Sequence, residues 1–386
     1  MKKTVSLLLT SALLLGLCAC GGNADSSPTE SVLPVDDAQA ALLPDDVPAL
    51  PEGTTGQTIA LAVDAAGLDD AGKNAAAWRG VQAFGENFGF TTQSYAADEN
   101  TSDAAESALR QAAESGAGLV VCLGEGMASA LYNLQGNYPT VSYLMLDDEP
   151  HSADYTSYTT AANVHCVLFQ EEQAGYLAGF AAVTEGYTQL GFLGADAMPE
   201  IVRYCTGYLQ GAEAAAELSG VQVRVKTWYS GSYTASEDIT ARMSGWYSDG
   251  TQLIFAAGGT LAQSCVAAAQ DTGGKVAAAN WDQSALGDSV LTSAIKCYSA
   301  AVQNQLYLFY AGGNAWDQDR AGQTERLGAS DEAVALSTSV WRFARFEQDE
   351  YETQYSRLHD SAVKVERFSD AGTLPEMANV TVDVQN

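Results

Sequence analysis

Apolar residues along the chain fall into two alternating spacings. Residues 58–64 (Thr-Ile-Ala-Leu-Ala-Val-Asp) are apolar at successive positions, which predicts a short strand buried on both faces. Residues 74–87 follow as a helix, with Trp78, Val81, Phe84 and Phe88 at spacings of three and four. Further strands are predicted at 119–123 and 141–146, with helices at 104–114 and 127–134. The alternation then restarts. It predicts helices at 170–183, 200–218, 236–247, 260–271 and 300–310, with strands at 189–193, 221–226, 252–257, 275–279 and 290–296. Two βα series predict an α/β protein of two doubly wound lobes, each a parallel sheet covered by helices on both sides. Ligands of such sheets sit beyond the carboxyl ends of the strands, so two facing lobes make a cleft there. The residues just after each strand are therefore the candidates for chemistry.

The N-terminus has a different pattern. Lys2 and Lys3 precede an apolar run from Val5 to Leu17, the layout of a secretory signal and too short for an ordinary membrane span. The run ends in Leu17-Cys18-Ala19-Cys20-Gly21, which resembles the lipobox of bacterial lipoproteins. That resemblance implies a signal peptide over 1–19 and lipid on Cys20; an ordinary signal peptide cut nearby is the alternative. Residues 20–56 are rich in Pro, Asp, Ser and Ala without a sustained period, and read as a flexible tether.

Charge and special residues narrow the function. A net charge of −30, from 48 acidic and 18 basic residues, repels nucleic acid and anionic lipid. Cys122, Cys166, Cys205, Cys265 and Cys297 are odd in number and mostly lie in apolar runs, so they read as small buried residues rather than a disulfide framework. His151, His165 and His359 are scattered, with no HExxH or CxxC, which predicts no metal site. Gly67 to Asn74 nearly spells a phosphate-binding loop. However, Asn74 stands where a magnesium-binding hydroxyl belongs, and Asp69 and Asp70 would repel phosphate. Gly124-Glu125-Gly126-Met127-Ala128-Ser129 imitates a dinucleotide fingerprint but ends in Ser rather than Gly or Ala. No GxSxG elbow is present, and neither an enzyme nor a cofactor is predicted.

Six blocks in order are more specific. They are Ile59 to Asp70 with Asn74 and Trp78; Phe169 to Gly179, containing Glu171-Glu172-Gln173-Ala174-Gly175; Leu190 to Gly194 with Pro199, Arg203, Tyr204, Gly207 and Tyr208; Ile254 to Thr260; Asp282-Gln283; and Leu291 to Lys296. Together, behind a lipobox, they resemble the basic membrane protein family of ABC-transporter binding lipoproteins, whose best-known members bind purine nucleosides. The resemblance runs from about Thr58 to Lys296 and weakens beyond. It implies a type I periplasmic-binding-protein fold: two Rossmann-like lobes with parallel sheets joined by a hinge. Lobe 1 is then expected over 57–165 plus about 287–325, and lobe 2 over 166–286 plus about 326–386. Hinge crossings are expected near 163–168, 281–286 and 322–328.

By motif position, the resemblance implies ligand contacts at Asp64 and Asn74 on the first lobe. It implies an aromatic cover from Tyr204, close backbone approach at Gly258 and Gly259, and a ribose grip by Asp282 and Lys296. Asp64 could instead cap a turn, Asn74 a helix, and Tyr204 could be core. Glu171 and Glu172 read as structural or transporter-facing. Lys73 stands where the family usually carries a stacking Phe, and Trp281 is placed to supply a ring from the other side; otherwise Lys73 suits an anionic ligand. The expected function is therefore a monomeric, lipid-anchored, extracytoplasmic solute-binding component of an ABC transporter, delivering a purine nucleoside to a permease. An anionic or sugar-like solute, or an exported nucleoside-processing enzyme, is the alternative.

Overall fold

A computed structural model describes residues 47–54, 56–68, 72–124 and 126–386. The signal region, Cys18, Cys20 and most of the tether lie outside the described residues.

The first sheet contains β1 (Thr58–Val63), β2 (Thr91–Ala96), β3 (Leu119–Leu123), β4 (Ser142–Leu146), β5 (Val164–Phe169) and β11 (Thr324–Leu327), in spatial order β11-β5-β4-β3-β1-β2. Every pairing in it is parallel. The second contains β6 (Gln189–Gly194), β7 (Val223–Tyr229), β8 (Leu253–Ala257), β9 (Lys275–Asn280), β10 (Val290–Lys296), β12 (Val334–Leu336) and β13 (Val380–Val384), in order β12-β10-β9-β8-β6-β7-β13. It is parallel except where β12 meets β10.

Alternation along the strands explains why helices cover both faces. Ile59, Leu61 and Val63 of β1 join Val81 and Phe84 of α1 (Lys73–Phe88) and Phe309 and Tyr310 of α8 (Tyr298–Ala311). Ala60 and Ala62 face Leu109 of α2 (Ser102–Glu114) and Leu131 of α3 (Met127–Leu134). In the second sheet Phe192 and Phe255 pack on α4 (Glu171–Thr184) and α5 (Pro199–Ser219), whereas Leu193 and Ile254 pack on α6 (Glu237–Ser248) and α7 (Leu261–Ala269). With both faces buried, the central strands β3 and β8 are apolar without interruption. The five cysteines named above are buried and unbridged, and burial pushes the Cys166 and Cys205 thiols up to about 12.

The chain changes sheet three times, and the first two changes fall outside the expected crossings. Residues 164–169 form a strand of the first sheet, so the first crossing is at Gln170 rather than within 163–168. β10 lies between β9 and β12, which puts 290–296 in the second sheet and moves the second crossing from 281–286 to Cys297. The third lies at 328–333, just beyond β11. The long C-terminal return, with α9 (Gln348–His359), is tied to the second lobe by two carboxylates. Glu185 accepts from the backbone N–H groups of Ala344, Arg345 and Phe346 at 2.8–3.1 Å. Glu213 accepts from those of Ala378, Asn379 and Val380 at 2.9–3.1 Å.

Candidate functional site

Charged residues converge where the crossings meet, beyond the strand ends. Lys296 closes β10, and its side chain is 1 % exposed. Its Nζ lies 2.7 Å from Asp147 Oδ1 and 2.9 Å from Glu171 Oε1. Asp147 follows β4 of the first sheet with a left-handed φ of 66°. Its second oxygen accepts from Tyr298 Oη at 2.8 Å. Glu171 opens α4, and its other oxygen accepts from Arg203 Nε at 2.6 Å. Two cations thus alternate with two anions, one of them from the other sheet. Burial opposes ionisation of Lys296, but Asp147 and Glu171 outweigh it and raise the ammonium well above its ordinary range. Burial likewise pushes Glu171 up, but Lys296 and Arg203 hold it below the usual carboxylate range. The aromatic floor is Phe169 and Tyr204, with ring centroids 5.6 and 5.8 Å from Nζ.

Tyr204 is fully buried, edge-on to Phe255 at 5.8 Å, and donates to Asn280 Oδ1 at 3.3 Å. Half-buried Glu200, one turn earlier, belongs to the same field. Burial pushes its carboxyl up, Lys296 pulls it down, and Asp147 and Glu171 push it up again.

On the first lobe, Asp64 and Asn74 come together. Asn74 Nδ2 donates to Asp64 Oδ1 at 2.8 Å and to Gly67 O at 3.0 Å, and Ala66 N–H donates to the same Asp64 oxygen at 3.1 Å. Asp64 therefore braces the turn after β1. Asn74 is inside α1, whose N-cap is Gly72. Lys73 is half-buried at the start of that helix and makes no ion pair among the described residues.

The remaining expected residues occupy the second lobe. Gly258 and Gly259 have φ of 117° and 50°, and a side chain on either would run into Ala195 or the Tyr233 carbonyl; their lack of a side chain serves that turn. Trp281 lies against Gly72 of the first lobe. Asp282 accepts from Ser284 N–H and Oγ at 3.0 and 2.9 Å and from Ser339 Oγ. No hydrogen bond joins Asp282 to Lys296; the acids at Lys296 are Asp147 and Glu171. Asp147 was detectable as the first residue after an apolar run and Glu171 as the second, the positions that strand-end geometry singles out.

Glu171 and Glu172 are 1 % and 3 % exposed, so neither faces a transporter. Oε2 of Glu172 meets no hydrogen-bond partner among the described residues. Burial, reinforced by Glu171, pushes the Glu172 carboxyl up to about 7. The unfolded chain loses that proton near 4.5 while the native state keeps it, so stability falls as pH rises between about 4.5 and 7. Urea denaturation across that window is expected to show a decline that Glu172→Gln flattens. An unchanged slope would remove Glu172 as its source.

Two sheets sharing three crossings, with a charged cluster beyond their strand ends, define the two-lobed architecture of the periplasmic-binding type. The chain belongs to the family described as ABC transporter substrate-binding protein, PnrA-like, which it matches over residues 57–365. That is a substrate-binding family, not an enzyme class. A CD4+ T-cell-stimulating antigen of Listeria innocua is 24 % identical over 267 residues, 66 % of this chain and 64 % of that one. An ABC transporter nucleoside-binding protein of Lactococcus lactis subsp. cremoris is 24 % identical over 216 residues, 54 % of this chain and 58 % of that one. The chain thus spans about three fifths of the length of these curated relatives. An ABC transporter solute-binding protein of Conexibacter woesei superposes with a TM-score of 0.63 at 18 % identity, covering 81 % of this chain and 99 % of that one, which shows the fold.

Proposed function

We propose that this chain captures a purine nucleoside outside the cell and passes it to the permease of an ABC transporter, acting as a monomer held at the extracytoplasmic membrane face by lipid on Cys20. The observation that carries the ligand class is the 2.7 Å pair of Asp147 and Lys296, one from each sheet, at the floor between the lobes. Vicinal ribose hydroxyls both donate and accept, and a carboxylate beside an ammonium meets both demands. Asp64, Asn74, Tyr204, Trp281 and Asp282 then surround the sugar and base, and the turn at Gly258 and Gly259 lets the backbone come close. The Lactococcus relative's name supports the same class.

Lys73 favours a second reading. An ammonium without an ion-pair partner among the described residues, at a helix start that already favours anions, suits a solute with a negative group, sugar-like or otherwise. Calorimetric titration of the mature chain with adenosine, guanosine and inosine, and with their monophosphates, separates the two. The nucleoside reading expects heat with a nucleoside, tighter binding in Lys73→Phe, and solute recovered unchanged by chromatography. Weaker binding in Lys73→Phe together with a preference for the monophosphate supports the anionic reading. Silence across the panel removes both ligands and leaves the family.

A further inference from the structure

Trp281 crosses from one lobe to the other. It follows β9 of the second sheet, yet its indole rests on Gly72, the residue before α1 of the first lobe. A Cβ at Gly72 would lie 3.1, 3.2 and 3.3 Å from Cε2, Cδ2 and Cζ2 of Trp281. These are adjacent members of one six-membered ring. A point nearly equidistant from three such atoms lies above the ring face, not beside its edge, so the flat side of the indole covers the Gly72 backbone. Gly72 has φ of −126° and ψ of −139°, outside the left-handed region. A side chain there would press on the indole, which would have to give by a few tenths of an ångström.

The backbone behind Trp281 is shaped to present it. Trp281 N–H donates to Ala279 O at 3.0 Å across Asn280, which holds φ of 73°. That is a three-residue turn of the rare, strained kind. The Asn280 side chain is held by Tyr204 Oη, itself part of the floor beneath Lys296. Strain maintained by the surrounding structure marks positions where a side chain must be aimed. Here it aims an indole across the gap.

We propose that Trp281 seated on Gly72 is the fastener that holds the two lobes shut over the solute site and sets how long a captured solute stays. The proposal rests on the two-lobed binding reading, but not on which solute is bound. Small-angle X-ray scattering of the mature chain without added solute tests it directly. Gly72→Ala and Trp281→Ala are each expected to expand the molecule relative to wild type. The double variant should expand it no further than either single change, because both remove one contact. Identical scattering from wild type and variants overturns the fastener, as does an additive effect in the double variant. Circular dichroism checks folding, and Trp281→Leu carries the test if Gly72→Ala fails to fold. With guanosine as probe, both single variants should release solute roughly tenfold faster, equivalent to about 1.4 kcal/mol. Absence of guanosine binding in wild type overturns the nucleoside reading and leaves the scattering result to judge the fastener.

Discussion

Replacing Lys296 by methionine is expected to abolish solute binding and to destabilise the protein by about 3–5 kcal/mol, the usual consequence of stranding a buried charge. Methionine fills a similar volume, so packing changes little while the ammonium disappears. Glu171 keeps Arg203, but its other oxygen loses a partner at 2.9 Å, and Asp147 loses one at 2.7 Å. Asp147 follows a strand of the first sheet and Lys296 ends one of the second, so the loss also cuts a tie between lobes beside all three crossings. Urea denaturation measures the first effect and titration calorimetry the second. Neutralising the stranded acids in Lys296→Met/Asp147→Asn/Glu171→Gln should return much of the stability, since a buried ionic cluster replaced as a unit is often near neutral. Binding should stay lost, because the paired carboxylate and ammonium are gone. Restored binding in the triple variant would show that the cluster is scaffolding alone.

How far the molecule was legible in its sequence depended on whether the deciding interaction was local. Helices α3 and α5 and strands β1 and β3 stood out because each carries its own apolar rhythm and is covered by neighbours close in the chain. β2, Thr91 to Ala96, was missed. It is an edge strand with mostly exposed polar residues, and its place is set by pairing with β1. Residues 164–169 are apolar enough to be a strand, yet the resemblance places a crossing there; what fixes them is parallel pairing with β4 and with β11, far along the chain. The site divides the same way. Asp64 and Asn74 are ten residues apart and join inside one turn. Lys296 meets Asp147 across 149 residues, and no local pattern names that partner.

The block Glu171 to Gly179, the most distinctive stretch of the sequence, is best explained as a packing surface, and glycine substitutions there are expected to produce the other large loss. Gly175 and Gly179 of α4 face the Tyr204 and Tyr208 carbonyls of α5, while Gly207 and Gly211 of α5 face the Glu172 and Tyr176 carbonyls of α4. A Cβ at any of the four would overlap the backbone of the other helix, which cannot move aside like a flexible side chain. The close approach is what lets Arg203 of α5 reach Glu171 of α4 beneath Lys296. Glycine in a helix interior normally costs about 0.5–1 kcal/mol relative to alanine, so alanine should help wherever there is room. Gly245 in α6 has nothing within 4 Å of its would-be Cβ, and Gly245→Ala is expected to stabilise the protein by about that amount. Gly179→Ala and Gly211→Ala should have the opposite sign, destabilising by roughly 3 kcal/mol once overpacking outweighs the propensity gain. The double variant should also lose solute binding, because separating α4 from α5 removes Arg203 from Glu171. Chemical denaturation of the three single variants reads the sign directly. Stabilisation by Gly179→Ala would mean that the two helices stand further apart than their facing glycines indicate.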